Sequence, residues 1–337
     1  MYRLIRSFLF LFPPEVAHRL SLTVASTLLS IPILRQFIRW FALSNTKSLE
    51  LFGLHFKNPI GIAAGFDKNA EHIDLLESVG FGFIEIGSVT HQAWHGNQQP
   101  RLFRLPKDRG IINRMGLNNQ GAQAISERLK RVKRSVPLFI NVAKTPDKSM
   151  TEKETINDYC SSITLLKDAA DVIVLNISCP NADGGKTFED PELLTSLLTE
   201  VRSIIGPSDK PLLIKVSPDL SYAQLTETIR VCEQFEISGY TATNTTVNRD
   251  GLSSSSTLIE SIGKGGLSGA PLHERALQTV MNIRSLTSKP IIGVGGIVDA
   301  VSAQQFISAG ASLVQLYTGF VYGGPFIVKR ISKDLRD

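Results

Sequence analysis

The sequence predicts an α/β fold, a (β/α)8 TIM barrel with a small N-terminal helical extension that associates with a membrane surface. Two observations predict the barrel and a third the extension. After residue 50, eight short runs rich in β-formers recur, each ending in a small or polar cluster, and eight parallel strands close such a barrel. Stretches of helical periodicity separate most of these runs, and alternation of strands with helices argues for βα units. Residues 1–47 hold Arg3, Arg6, Arg19, Arg35, Arg39 and Lys47 against Glu15 alone, so the whole +5 of the chain resides there.

The bulk numbers fit one large domain (48–337) behind a small appendage (1–47). With 42% hydrophobic and 20% charged residues the 337-residue chain buries a core and is too apolar for disorder. The 290 residues after the appendage balance at 30 basic and 30 acidic. A nucleic-acid enzyme spreads a basic stripe over its main domain, so no nucleic-acid partner is expected. Cys160, Cys179 and Cys232 are odd in number and too far apart for a CxxC pair, which suggests neither a disulfide framework nor a metal site and fits a reducing compartment.

In the extension, Leu4, Ile5, Phe8, Leu9 and Phe12 follow helical spacing, with Arg3, Arg6 and Ser7 turned away, until Pro13-Pro14 stops the segment. Val16, Ala17, Leu20, Val24 and Leu28 repeat the pattern up to Pro32, and Ile33, Leu34, Phe37, Ile38 and Phe41 repeat it towards Asn45. A membrane span needs about 20 uninterrupted apolar residues, and prolines and arginines interrupt every candidate. The apolar run at 8–12 is short for a signal peptide and no small-residue cleavage site follows it. Short amphipathic helices with Arg on the polar face read as a monotopic anchor. A helical cap packed on the barrel is the other reading, and the two are compatible if one face docks while the other meets lipid.

The eight strands are expected at 59–66, 83–90, 137–143, 172–178, 211–217, 239–245, 290–297 and 313–319, with helices at 70–79, 193–204, 222–235 and 300–309 between them. Two intervals, 91–136 and 246–289, exceed the usual repeat. Long βα excursions lie on the C-terminal face of a barrel and commonly cover its active site. The second contains Gly263-Lys264-Gly265-Gly266-Leu267-Ser268-Gly269, read as a flexible glycine segment.

Polar residues at the strand ends test fold and site together. They are Ala64-Gly65-Phe66-Asp67-Lys68, Gly87-Ser88, Asn141, Asn176 with Cys179 and Asn181, Lys215, Thr243-Asn244-Thr245, Gly295-Gly296 and Tyr317-Thr318. Few are carboxylates and many are amides, so a planar, polar ligand with several carbonyl and N–H groups is expected. Loops after strands seven and eight often form a phosphate site. Lys215 is placed to set a positive charge beside the N1 of a reduced flavin; a surface lysine or a Schiff-base nucleophile are its other readings. Cys179, between two asparagines at a strand end, is either a proton-accepting thiol or a buried structural one.

In this order, Ala64-Gly65-Phe66-Asp67-Lys68, Asn113-Arg114-Met115-Gly116-Leu117, Asn176-Ile177-Ser178-Cys179-Pro180-Asn181, Ala242-Thr243-Asn244-Thr245-Thr246, 265–269 and 291–297 resemble the dihydroorotate dehydrogenases along essentially the whole chain. The appendage, with Pro14-Glu15-Val16-Ala17-His18, is similar to that of the membrane-associated class 2 enzymes, which pass electrons to a quinone. The resemblance implies oxidation of (S)-dihydroorotate to orotate in de novo pyrimidine synthesis, with FMN as prosthetic group. Carried over position by position, it implies that Lys68, Asn113, Asn176, Asn181 and Asn244 hold the substrate, within a set that includes Arg114, Met115, Gly116, Leu117 and Thr245. FMN falls to Ala64, Gly65, Lys68, Ser88, Asn141, Asn176, Lys215, Thr243, Gly269, Gly296, Tyr317 and Thr318. His18 and Arg104 resemble residues lining the family's quinone tunnel. A monomer on the cytoplasmic side of a bacterial cytoplasmic membrane is expected, since no transit peptide is evident.

The resemblance breaks at the catalytic loop. Class 2 enzymes carry serine as the base, in a Ser-Ser-Pro-Asn-Thr stretch, where this chain has Ser178-Cys179-Pro180-Asn181-Ala182. Cysteine there marks the soluble class 1 enzymes. Leu117 and Ala182 stand where class 2 has Phe and Thr, residues associated with relaying the serine's proton. Anchor and catalytic loop therefore point to different classes, and a class 1-like enzyme using fumarate is the nearest alternative. A flavin-dependent reductase of uracil-like bases, as in tRNA, or a non-enzymatic membrane scaffold are more distant ones.

Overall fold

The computed structural model describes residues 2–42, 48–178, 188–206 and 210–335. Three helices come first, α1 (Tyr2–Leu9), α2 (Pro14–Leu29) and α3 (Pro32–Ala42). Pro14 occupies the first turn of α2, where its missing N–H is not needed. Much of the apolar faces identified from the sequence points outwards, with Leu4, Phe8, Ile33 and Phe37 more than half exposed, while Ala17 is buried and Ile38 packs on the core. The polar faces dock instead. Arg6 donates to the Tyr322 carbonyl at 3.0 Å, Arg39 donates to Asp74 at 2.8 Å, and Arg101 of the barrel meets Glu15 at 3.0 Å. Leu22 and Leu29, on the inner side of α2, join the main core.

A hairpin of β1 (Leu49–Leu51) and β2 (Leu54–Phe56) leads into the barrel. The chain continues with β3 (Ile60–Ile62), α4 (Ile73–Ser78) and β4 (Phe83–Val89), then β5 (Leu102–Leu105), β6 (Gly110–Asn113) and α5 (Ala122–Leu129) in the first excursion. Next come β7 (Leu138–Val142), α6 (Glu152–Leu166), β8 (Val172–Asn176), α7 (Pro191–Ile205), β9 (Leu212–Val216), α8 (Tyr222–Glu233) and β10 (Gly239–Ala242). The second excursion holds α9 (Ser256–Ile262), β11 (Gly266–Gly269) and α10 (His273–Leu286); β12 (Ile291–Val294), α11 (Ala300–Ser308), β13 (Leu313–Leu316), α12 (Thr318–Gly323) and α13 (Ile327–Asp334) complete the chain. Capping boxes at Thr151 with Glu154 and at Ser221 with Gln224 fix where α6 and α8 begin.

Every strand expected from the sequence is a barrel strand. They close in the order β3-β4-β7-β8-β9-β10-β12-β13, each parallel to its neighbours. The hairpin seals the N-terminal end, where Phe56 meets Phe83 at 5.6 Å and Phe139 at 6.2 Å between ring centroids, all three wholly buried. Burial of each such ring contributes about 1.5–3 kcal/mol.

At the other end the two excursions meet. β6 pairs antiparallel with both β5 and β11, with Asn113 opposite Leu102 on one side and Gly266 on the other. The glycine segment expected to be flexible is thus in part a paired strand. A Cβ on Gly266 would lie 2.0 Å from Thr245 Oγ1, so this glycine permits a close backbone approach rather than motion.

Candidate active site

The barrel's C-terminal mouth and the three-stranded sheet border a cleft. Lys68, Asn113, Met115, Gly116, Leu117, Asn176, Asn244 and Thr245, all expected at the substrate, line it together with Ala64, Gly65, Ser88, Lys215, Thr243, Gly269, Gly296, Tyr317 and Thr318, expected at the cofactor. These residues come from seven of the eight barrel strands or the loops just after them, and from β6 and β11 above. Residues 179–187 lie outside the described residues, and with them Cys179, Asn181 and Ala182.

Two expected residues stand elsewhere. The Arg114 side chain stays off the cleft and braces the excursions: its guanidinium lies 4.7 Å from the Phe103 ring centroid and donates to the carbonyls of Pro100, at 3.1 Å, and Ile262. A cation so engaged braces the two excursions against each other. Asn141 is fully buried one layer behind the surface, where its Oδ1 accepts the Ser88 hydroxyl proton.

The amides form a continuous chain. Asn244 Nδ2 donates to the Ser178 carbonyl at 2.7 Å and lies 3.4 Å from Asn176 Oδ1, and Asn176 Nδ2 donates to Ser88 Oγ at 3.0 Å. From Asn141 the chain reaches Glu85 through Nδ2 at 2.7 Å. Glu85 also accepts from Gln315 Nε2 at 2.5 Å and lies 3.6 Å from Lys215 Nζ. Neither Glu85 nor Gln315 was anticipated. The signal was present in Phe83-Ile84-Glu85-Ile86 and Val314-Gln315-Leu316, since a polar residue amid a buried apolar strand needs a partner inside.

Lys68 brings a cation to the cleft. Nζ donates to the Gly65 carbonyl at 2.8 Å. Burial pushes its pKa down to about 8, against a smaller upward pull from Glu15. An ammonium that is short of solvent and satisfied by one carbonyl is well suited to meet a carboxylate.

His18 and Arg104 lie at the seam between extension and barrel. His18 Nε2 is 3.1 Å from the Phe66 carbonyl, its ring edge-on to Phe66 at 4.9 Å. Arg104 donates to the carbonyls of Phe10 and Phe12 at 3.3 and 3.0 Å and lies 4.4 Å from the Phe10 ring centroid. Burial, and then the charge of Lys68, push His18 down from 6.5 to about 4. A base with a lower pKa folded than unfolded binds protons better unfolded, so its stabilising contribution is complete above 6.5 and fades as pH falls towards 4. The thermal midpoint should fall across that window, and His18→Gln should remove part of the fall. A variant whose midpoint runs parallel to wild type would assign the acid loss to other groups.

The residues fit a flavin mononucleotide on three counts. Gly296 has φ +69°, and a Cβ there would stand 2.6 Å from His273 Cβ, so only bare backbone edges this part of the cleft. Gln315 Oε1 is buried in the cleft wall without a partner among the described residues, an acceptor awaiting a donor. Lys215, only 5% exposed, brings a cation to the same wall.

The family model for dihydroorotate dehydrogenase matches residues 47–337. Proteins called dihydroorotate dehydrogenase (quinone) from Nocardia farcinica and Haloarcula marismortui are each 40% identical over 100% of this chain and, respectively, 92% and 94% of their own length. Among solved structures, that of the Eimeria tenella dihydroorotate dehydrogenase in complex with ferulenol superposes with a TM-score of 0.78 at 31% identity, over 92% of this chain and 93% of that one. The chain belongs to the dihydroorotate dehydrogenase family.

Proposed function

We propose that the protein oxidises (S)-dihydroorotate to orotate in de novo pyrimidine synthesis, with FMN as prosthetic group and a membrane quinone as electron acceptor. The observation that carries this reading is the convergence of Lys68, Asn113, Asn176 and Asn244 on one cleft that Ser88, Lys215, Gly296 and Thr318 also line. Lys68 pairs with the substrate carboxylate, while the asparagines, joined by Asn181, hydrogen-bond the planar ring. Cys179 removes the C5 proton. FMN, when bound, would supply the hydride acceptor for this oxidation. Lys215 would set its charge beside the reduced ring, and the backbone at 295–296 and 317–318 would hold the phosphate.

Membrane attachment through residues 1–47 is part of the same reading. No single described helix is long and apolar enough to cross a bilayer. The outward side of the extension carries Leu4 at 78%, Leu11 at 81%, Ile33 at 80% and Trp40 at 66% exposure, an apolar surface that suits a helix lying in the interface. A monomer held on the cytoplasmic face of the membrane, with His18 and Arg104 beside the path from lipid to flavin, is the arrangement this supports.

One experiment separates the acceptors. The enzyme reduced anaerobically with dihydroorotate is mixed with a short-chain quinone or with fumarate. Quinone is expected to reoxidise the flavin, and reoxidation by fumarate alone would establish the class 1-like alternative suggested by Cys179.

A further inference from the structure

Glu85 lies in the middle of β4 with no exposure at all, and three other strands converge on its carboxylate. Asn141 on β7 and Gln315 on β13 donate to it, and Lys215 on β9 lies 3.6 Å away. A carboxylate only accepts hydrogen bonds, so both amides must turn their NH2 groups towards it. That choice propagates. Asn141 Oδ1 faces outward and takes the Ser88 proton, which leaves Ser88 Oγ to accept from Asn176. Gln315 Oε1 is left as the unpartnered acceptor of the cleft wall. At 3.6 Å the Lys215 ammonium is balanced electrically by Glu85 while its donors stay available to a ligand.

We propose that Glu85 is a positioning residue of the flavin site. Its one buried carboxylate sets, directly for Gln315 and through Asn141 for Ser88 and Asn176, the direction in which these three cleft residues present donors and acceptors to the cofactor. It also neutralises Lys215 until electrons arrive. The inference rests on the FMN reading above. Reduction places negative charge on the N1 side of a flavin, so the cation beside it and the carboxylate behind it act with opposite sign on the potential.

The test uses Glu85→Gln, Lys215→Met and the double variant. Glutamine offers one acceptor where two amide donors point, so one amide must turn over, and FMN affinity measured by titrating the apoprotein should fall roughly tenfold. Lys215, left uncompensated, should raise the flavin midpoint potential in Glu85→Gln; Lys215→Met should lower it, and the double variant should return it towards wild type. Independently of flavin, Glu85→Gln apoprotein should melt below the double variant, because breaking a buried ion pair costs more stability than removing both partners. If Glu85→Gln does not fold, the double variant still should.

Wild-type potential and affinity in a folded Glu85→Gln would overturn the proposal, as would a double variant that is no more stable than Glu85→Gln or does not fold. Wild-type apoprotein that takes up no FMN counts against the cofactor reading instead, and the melting comparison then decides the Glu85–Lys215 coupling by itself.

Discussion

Cys179→Ser is expected to lower turnover with dihydroorotate and a quinone by roughly two to four powers of ten, the range a positioned general base contributes. The exchange of sulfur for oxygen looks conservative, but the two groups abstract protons by different routes. A thiol with a pKa near ~8.5 ionises to a useful fraction at neutral pH. A hydroxyl does not, and it needs a neighbouring hydroxyl and water to carry its proton away. Ala182 offers none, and neither does Leu117, which lines the cleft. Cys179→Ser/Ala182→Thr should therefore recover part of the loss. Both variants should keep wild-type flavin content, which separates chemistry from binding. Turnover close to wild type in the single variant sinks the assignment. Selective alkylation offers a second check, since burial pushes Cys160 up to about 11 and raises Cys232 as well. At neutral pH one thiol should react, with loss of activity and protection by orotate; modification of Cys160 without inactivation would count against Cys179.

The barrel was legible because each strand carries its own instructions. Val172–Asn176 is an unbroken apolar run ending in an amide, and it becomes β8 with that amide in the cleft. The same logic located most of the site, since strand ends converge whatever the helices do between them. What lay hidden depends on pairings distant in sequence. Nothing local to Gly266 says that it will face Asn113, and the three-stranded sheet exists only once the barrel has brought its two excursions together. Glu85 was passed over for a related reason: its partners come from three other strands. Amphipathic spacing in residues 2–42 fixed the helices but not which face would dock. The arginines settled that by finding Asp74 and the carbonyl of Tyr322, which turned the apolar faces outwards.

Lys68→Met should lower kcat/KM for dihydroorotate by about two to three powers of ten, because loss of one partner from a desolvated charge pair typically costs 2–5 kcal/mol. Most of the loss should appear in KM, since the carboxylate is held alike in ground and transition states. Wild type carries its own version of this experiment. Lys68 is pushed down to about 8, chiefly by burial, so the ammonium present below that pH gives way to a neutral amine above it. The KM for dihydroorotate should climb as pH rises through about 8. The profile of kcat/KM should accordingly turn down above that pH. Glu15, held to the barrel by Arg101 at 3.0 Å, is the group that most opposes the fall in the Lys68 pKa. Glu15→Gln should therefore move the KM limb to lower pH, although Glu15 lies on the helical extension and not in the cleft. A limb that stays in place would separate the extension from the chemistry, and a KM flat across the interval would remove Lys68 from the substrate carboxylate.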